Sequence, residues 1–286
     1  MKKVFYPLFF LILATSCSES TSSVTTNEVD SIEISYLKNE KESNTSKFHY
    51  DAQDRVTALE MNYKDGKKSV QKFTYTGQNA NYNVDFDEMI FHGKYQIDSN
   101  NKVTCATDTF IMGDICISGG NLFEYQKDKL SLVKSYVNAD KDMPRRDTLR
   151  LAVEWNADNM TGLSCDWTKH VNIDEQLKYT VNKTYSPTIL NNANLDLNFY
   201  IERLIQNGAC LSYDPLIFTD CGQRSKYMMS AYSHDIEYQN HKEREEHLEY
   251  TFKYATDDQN RIKEVKIINP AGETHITMNF SYKDRH

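Results

Sequence analysis

The feature that most constrains this chain is a hairpin signature that keeps returning. Phe48-His49-Tyr50 runs into Asp51-Ala52-Gln53-Asp54 and then Arg55-Val56. Phe252-Lys253-Tyr254 is followed by Asp257-Asp258-Gln259-Asn260 and then Arg261-Ile262, a near copy. Weaker copies start at Tyr95, Phe123 and Trp155, and Tyr95, Tyr125, Trp155 and Tyr185 stand at steps of 30. Aromatics two residues apart share one face of a strand. Asp and Asn bond back to their own backbone and tolerate left-handed φ, so the polar stretch is a turn. The basic–aliphatic pair then opens the next strand.

Such a series is a long antiparallel meander, and its edges are a liability unless the sheet curls, closes or is covered. The expected fold is therefore mostly β: a hairpin meander forming a strongly curved or barrel-like sheet. One segment breaks the alternation. In Asn194 to Gly208, Leu197, Ile201, Leu204 and Ile205 fall at helical spacing. Asn194 or Asp196 can cap the start and Gly208 the end. We expect one amphipathic helix over about 194–208, lying over an open face or mouth of the sheet.

The N-terminus reads as an address. Lys2 and Lys3 precede an apolar run from Val4 to Ala14, too short to cross a bilayer but suited to an export signal. Leu13-Ala14-Thr15-Ser16-Cys17 resembles a bacterial lipoprotein cleavage site; the alternative is an ordinary signal peptide that ends near a cysteine. Lipidation of Cys17 is the expectation. Ser18 to Thr26 is almost all Ser and Thr, a flexible tether reaching roughly 16–19 Å over ten residues. The expected organisation is a lipoprotein signal peptide at 1–16, a tether at 17–29 and one β-rich domain at 30–286. Ser18 lacks the Asp that resembles an inner-membrane retention signal, and Glu19 resembles acidic surface-export signals of Bacteroidetes. The expected place is the outer membrane, on its periplasmic side or at the cell surface.

Composition excludes more than it selects. With 33 Lys and Arg against 41 Asp and Glu, the formal net charge is −8. Cleavage before Cys17 removes two lysines and no acid. An acidic chain lacks the basic footprint of nucleic-acid binding. Only 10 Gly and 5 Pro rule out collagen-like and Pro/Gly-rich disordered classes. A membrane-spanning barrel is not expected either, because the strands read as short and their faces carry Lys, Glu and Asp.

The lipoprotein start, the aromatic–turn–Arg–aliphatic hairpins and the Asn194-Leu195-Asp196-Leu197-Asn198 helix start together resemble a Bacteroidetes outer-membrane lipoprotein family of unknown function with a porin-like β fold. The resemblance covers roughly residues 30 to 284 and brings no catalytic residues. The hairpins also resemble the YD repeats of Rhs-type toxin shells, of which Tyr50-Asp51 and Arg55 match, with Asp54 where Gly belongs.

Candidate chemistry is sparse. Cys105 with Cys116, and Cys210 with Cys221, flank short segments that disulfides could close in an oxidising compartment; the alternative is that these and Cys165 are small buried residues. Cysteine metal binding is not expected without a C-x-x-C pair. His234, His241 and His247 match no zinc spacing, and 240–247 reads as a solvated hairpin end. Asp51 with Asp54, Asp85 with Asp87 and Glu88, and Asp257 with Asp258 could hold calcium or cleave glycosides, but Asx turns explain them. There is no G-x-S-x-G elbow, and Gly119-Gly120 reads as an isolated hairpin pair. Trp155 and Trp167 flank one hairpin and read as sheet packing rather than sugar platforms. Asp30-Ser31-Ile32 and Asp147-Thr148-Leu149 resemble Bacteroidetes O-glycosylation triplets.

No cofactor and no metal are expected. The leading expectation is a non-enzymatic, lipid-anchored envelope binding or interaction module, with an envelope protein, a glycan or a hydrophobic ligand as partner. The alternative is a carrier of a lipid or other hydrophobic ligand in a curved-sheet cavity with the helix as lid. A hydrolase with a dispersed site stands third. A filled core, an apolar cavity or converging perturbed acids would separate them.

Overall fold

The computed structural model describes residues 27–86, 89–112, 115–138, 146–169, 176–205 and 222–283. Strands β1 (Val29–Tyr36), β2 (Asn44–Tyr50), β3 (Val56–Tyr63), β4 (Lys68–Thr76), β5 (Asn79–Phe86), β6 (Met89–Ile97), β7 (Val103–Met112) and β8 (Ile115–Gln126) follow one another as hairpins. So do β9 (Lys129–Asn138), β10 (Arg146–Asn156), β11 (Asn159–Lys169) and β12 (Gln176–Leu190). Among the described residues there is one α-helix, α1 (Leu197–Ile205), which precedes β13 (Tyr227–Tyr238), β14 (Glu246–Thr256), β15 (Ile262–Ile268) and β16 (Thr274–Tyr282). Each strand pairs antiparallel with its sequence neighbours, and β1 pairs with β16 to close the barrel. Closure removes both free edges at once.

Alternation decides what faces inward. On β4, Ser69, Gln71 and Phe73 are buried while Lys68, Lys72 and Thr74 are exposed. On β14, Tyr250 and Phe252 are buried while Glu249, Thr251 and Lys253 are exposed. On β16, Ile276, Met278 and Phe280 are buried while Asn279 and Ser281 are exposed. The inward side chains form one apolar cluster from Val29 to Phe280, each fully buried Val, Leu, Ile or Phe worth about 1.5–3 kcal/mol. Among the described residues, the exposed large apolar side chains are Leu37 and Leu190. Among the described side chains the barrel is thus mostly apolar inside and polar outside, the reverse of the outer apolar band of a spanning barrel.

Two expectations about the elements change. The strands are not short: β8 has 12 residues and β12 has 15. Length therefore gives no argument against spanning; the polarity of the outer face does. Gly119-Gly120 is not a turn but the middle of β8. Gly120 lies opposite Tyr136, and a Cβ there would come 2.7 Å from the Tyr136 hydroxyl and 2.3 Å from the Ala106 carbonyl oxygen. Gly93 serves Tyr82 likewise: a Cβ would sit 1.6 Å from the ring carbon Cε1. Glycine lets each tyrosine ring lie flat across the neighbouring strand, and Tyr82 in turn stacks on Tyr95 with centroids 5.2 Å apart.

The helix sits inside the barrel rather than over its mouth. Leu197, Asn198, Tyr200, Ile201, Glu202 and Ile205 are all buried, more of its circumference than one amphipathic stripe. Tyr200 packs edge-on to inward Phe48 of β2 at 6.1 Å. Sixteen strands enclose a lumen wide enough for an aqueous channel in a porin. Here α1 and the inward aromatics occupy it. The helix starts at Leu197, three residues later than expected; 206–208 lie outside the described residues.

Candidate functional site: a clasped rim and a plugged lumen

The repeating signature builds one rim of the barrel. At three turns an Asp holds the loop through its side chain. Asp51 accepts from the backbone N–H of Gln53 and Arg55, Asp98 from Asn100 and Lys102, and Asp257 from Gln259 and Arg261. Asp54, Asn101 and Asn260 take the left-handed position, with φ of 58°, 61° and 58°. This is the place where a YD repeat carries Gly, and short polar side chains tolerate it. Burial alone would raise these carboxyl pKa values. For Asp51 and Asp257 the hydrogen bonds from arginine and backbone outweigh it, and for Asp98 the backbone bond from Lys102 leads; all three end below the usual range. These aspartates are turn struts. They converge on no shared cation, and among the described residues no group of acids and histidines is placed to hold a metal.

The aromatic that ends each hairpin clasps the strand before it. Tyr50 donates its hydroxyl to the Val29 carbonyl at 2.7 Å, Tyr75 to Val56 at 2.9 Å and Tyr125 to Val103 at 2.6 Å. The Trp155 indole N–H donates to Leu130 at 2.8 Å, Tyr254 to Met229 at 2.5 Å and Tyr282 to Ile262 at 2.9 Å. Tyr185 donates to Met160 in the same way. In five of these, at Val56, Val103, Leu130, Met160 and Ile262, the acceptor is the carbonyl of the aliphatic residue that follows the hairpin turn. The basic residue beside it covers the next ring. Arg55 lies 4.2 Å from the Tyr75 centroid, Lys102 5.5 Å from Tyr125, Lys129 5.3 Å from Trp155 and Arg261 4.7 Å from Tyr282. Lys283, past β16, covers Tyr50 at 4.4 Å and carries the ring across the closure. Each cation–π contact is worth about 0.5–1 kcal/mol. Burial raises the phenol pKa values of Tyr50, Tyr185, Tyr254 and Tyr282, and that of Tyr75 to about 12. Tyr95, aligned by the spacing of 30, is not a clasp: it is buried, and Ile97 holds the equivalent place on β6.

The Asn-Leu-Asp-Leu-Asn motif staples the helix to this rim. The Asn194 side-chain oxygen accepts from the backbone N–H of Val29 at 3.0 Å. Asp196, not Asn194, caps α1 by accepting from the Asn198 N–H at 3.1 Å. Asn198 donates to the Tyr227 carbonyl and accepts from the Met229 N–H. Arg224 donates to the Ala193 and Asn194 carbonyls. Deeper in, Lys183 of β12 meets Glu202 of α1 at 2.5 Å, with side chains 3% and 4% exposed. Sequence reading passed over this pair. Its signal was a lysine in phase with Leu177, Tyr179 and Val181, on the apolar face of a strand. Between α1 and β1–β3 a cavity of about 270 Å³ remains, lined by Ile34, Met61, Tyr63, Tyr200, Arg203 and Leu204 among others.

Other candidates disperse. His234 is buried between Tyr179 and Tyr232, its pKa lowered by burial. His247 accompanies Asp235 and His241 accompanies Glu243, at the solvated hairpin end that the sequence suggested. Cys105 lies opposite Leu122 and Cys116 opposite Ile111. The two positions are six residues apart along β8, roughly 20 Å at strand rise, so that bridge does not form. Cys17, Cys210, Cys221, Asp87 and Glu88 lie outside the described residues. Cys165 is buried on β11, and Trp155 is committed to its clasp. Asp30-Ser31-Ile32 lies within β1, paired on both sides.

The fold is similar to that of solved porin-like proteins. A porin-like protein from Bacteroides vulgatus superposes with a TM-score of 0.64 at 14% identity, over 91% of this chain and 100% of that one. A porin-like protein from Bacteroides uniformis gives 0.61 at 13%, over 90% and 99%. At such identity the likeness is one of fold. No family model matches the sequence, and no curated protein does.

Proposed function

We propose that this chain is a non-enzymatic binding or interaction module of the bacterial outer envelope, held by a lipid on Cys17, whose barrel stands in water rather than spanning the bilayer. The observation that supports this most is the inverted polarity. Lys72, Glu249, Lys253 and Asn279 point outward while Phe73, Tyr250, Phe252 and Met278 point inward. A Lys or Arg facing lipid at the midplane costs about 2–4 kcal/mol. A water-borne barrel needs another attachment, and the Cys17 signal with its Ser/Thr tether supplies one. The porin-like likeness fits an envelope protein without giving it pore activity. The test is fractionation of Cys17→Ser against wild type, with labelled palmitate. Wild type takes label and stays in the membrane fraction until detergent is added; the variant takes none and becomes soluble. A variant that still needs detergent would show that the barrel itself holds the membrane.

The cavity beside α1 is mixed rather than apolar, with Arg203 and Glu42 near Met61 and Leu204. At about 270 Å³ it lies just below the usual range for small-molecule pockets. It suits part of an amphipathic ligand. Native mass spectrometry of the protein from its own host tests this: a co-purifying mass lost in Leu204→Trp supports a carrier, and a bare polypeptide mass removes it.

A further inference from the structure

Among the described residues, β6 is the one even-numbered strand without a ring clasped to the strand before it. On β4 and β8 the ring-bearing residue pairs with the first apolar residue after the turn, Tyr75 with Ala80 and Tyr125 with Leu130. On β6 the pair is Ile97 with Val103. Ile97 has no ring to lay across β5 and no hydroxyl to donate. At this interruption, between the turns that follow β2, β4 and β6, a groove of about 440 Å³ opens. That volume is within the range of small-ligand sites.

Its chemistry is uneven in a useful way. Ile97, Gly77 and the Tyr75 ring form the apolar part of its lining. Gln53, Gln78 and Asn101 bring exposed side-chain amides to it, and Asp98 brings a carboxylate. Arg55 also borders the groove, but its guanidinium is committed, with Nη2 2.6 Å from Asp51 and the plane lying over Tyr75. An anion would meet Asp98 with no uncommitted arginine to hold it. An apolar ligand would cover the amides without bonding them, at a desolvation cost. A neutral ligand with several hydroxyls satisfies both: amide and carboxylate groups pair with vicinal hydroxyls, and Ile97 takes the C–H face of the ring.

We propose that this groove binds a neutral carbohydrate. The inference deepens the interaction reading by giving it a ligand class, and rests on it. The test is a glycan microarray probed with the full chain and with Ile97→Tyr, which puts into β6 the residue found at the equivalent place on β4 and β8. Wild type should bind neutral glycans on the array. Ile97→Tyr should lose at least tenfold while melting no lower than wild type. Gln78→Ala, at an exposed turn position, gives a second variant that leaves the fold alone and should also lose binding. Absence of array binding by wild type, preference for anionic glycans, or equal binding by all three proteins overturns the proposal. Crosslinking of the same proteins to their native envelope separates the two readings. Capture of an envelope protein by wild type with a blank array leaves the module standing and removes the carbohydrate site.

Discussion

Lys183 on β12 and Glu202 on α1 form an ion pair inside the barrel, 2.5 Å apart and almost wholly shielded from water. The pair ties the helix to the wall at one register. Removing either partner leaves the other charge buried alone, so Lys183→Met or Glu202→Gln should each cost about 3–5 kcal/mol in urea denaturation. The double variant Lys183→Met/Glu202→Leu should recover most of that loss. Equal losses in single and double variants would mean that the helix is held by packing alone.

The clasps should act as independent small increments. Tyr282→Phe keeps the ring under Arg261 and removes only the hydrogen bond to Ile262, at about 0.5–1.5 kcal/mol. Tyr282→Ala removes ring, bond and cation–π contact, and should cost clearly more. Tyr282 and Tyr125 sit on well-separated strands, so their Phe variants should add to within about 0.5 kcal/mol in a double-variant cycle.

Acid should destabilise the barrel in two windows. Burial holds His234 and His275 below the ordinary histidine value of 6.5, so the unfolded chain binds their protons first as pH falls. Their contribution is complete above 6.5 and is lost as pH drops through the lower folded values. Asp51, Asp98 and Asp257 are held below 3.8 and contribute above that value, with loss only as pH falls further. The urea midpoint should therefore decline in a first step below pH 6.5 and a second below about 4. His234→Gln should shrink the first step and leave the second. A first step of unchanged size would remove His234 from the account.

Gly93 and Gly120 should resist even alanine. A Cβ at Gly93 would enter the Tyr82 ring, and one at Gly120 would meet the Ala106 carbonyl. Gly93→Ala and Gly120→Ala should each cost about 1–3 kcal/mol by overpacking. Gly93→Ala paired with Tyr82→Leu should cost less than the sum of the two single changes. Gly120→Ala should gain no such relief from Tyr136→Leu, because a backbone atom blocks it. Thermal melts of the singles and pairs decide this.

Much of this was readable from residues close together in the chain. Phe-x-Tyr followed by an Asx turn and Arg-aliphatic specifies a hairpin because its turn hydrogen bonds lie within five residues of each other, as from Asp51 to Arg55. The helix was readable from Leu197, Ile201, Leu204 and Ile205. Cys105 and Cys116 stay apart because spacing gives proximity along the chain but not register across a hairpin, where Cys105 lies opposite Leu122. The Lys183–Glu202 pair stayed hidden because it depends on a helix entering a lumen that only the closed sheet creates.

Alternation, turn positions and the helix follow from residue order alone, because local backbone and side-chain chemistry sets them. That β1 closes on β16, that aromatic faces turn inward and charged faces outward, and that the basic residue of one hairpin covers the ring of the next all emerge on folding. Those choices rest on contacts between residues far apart in the chain, such as Ile34 with Met278. Such contacts become favourable only when many apolar side chains leave water together.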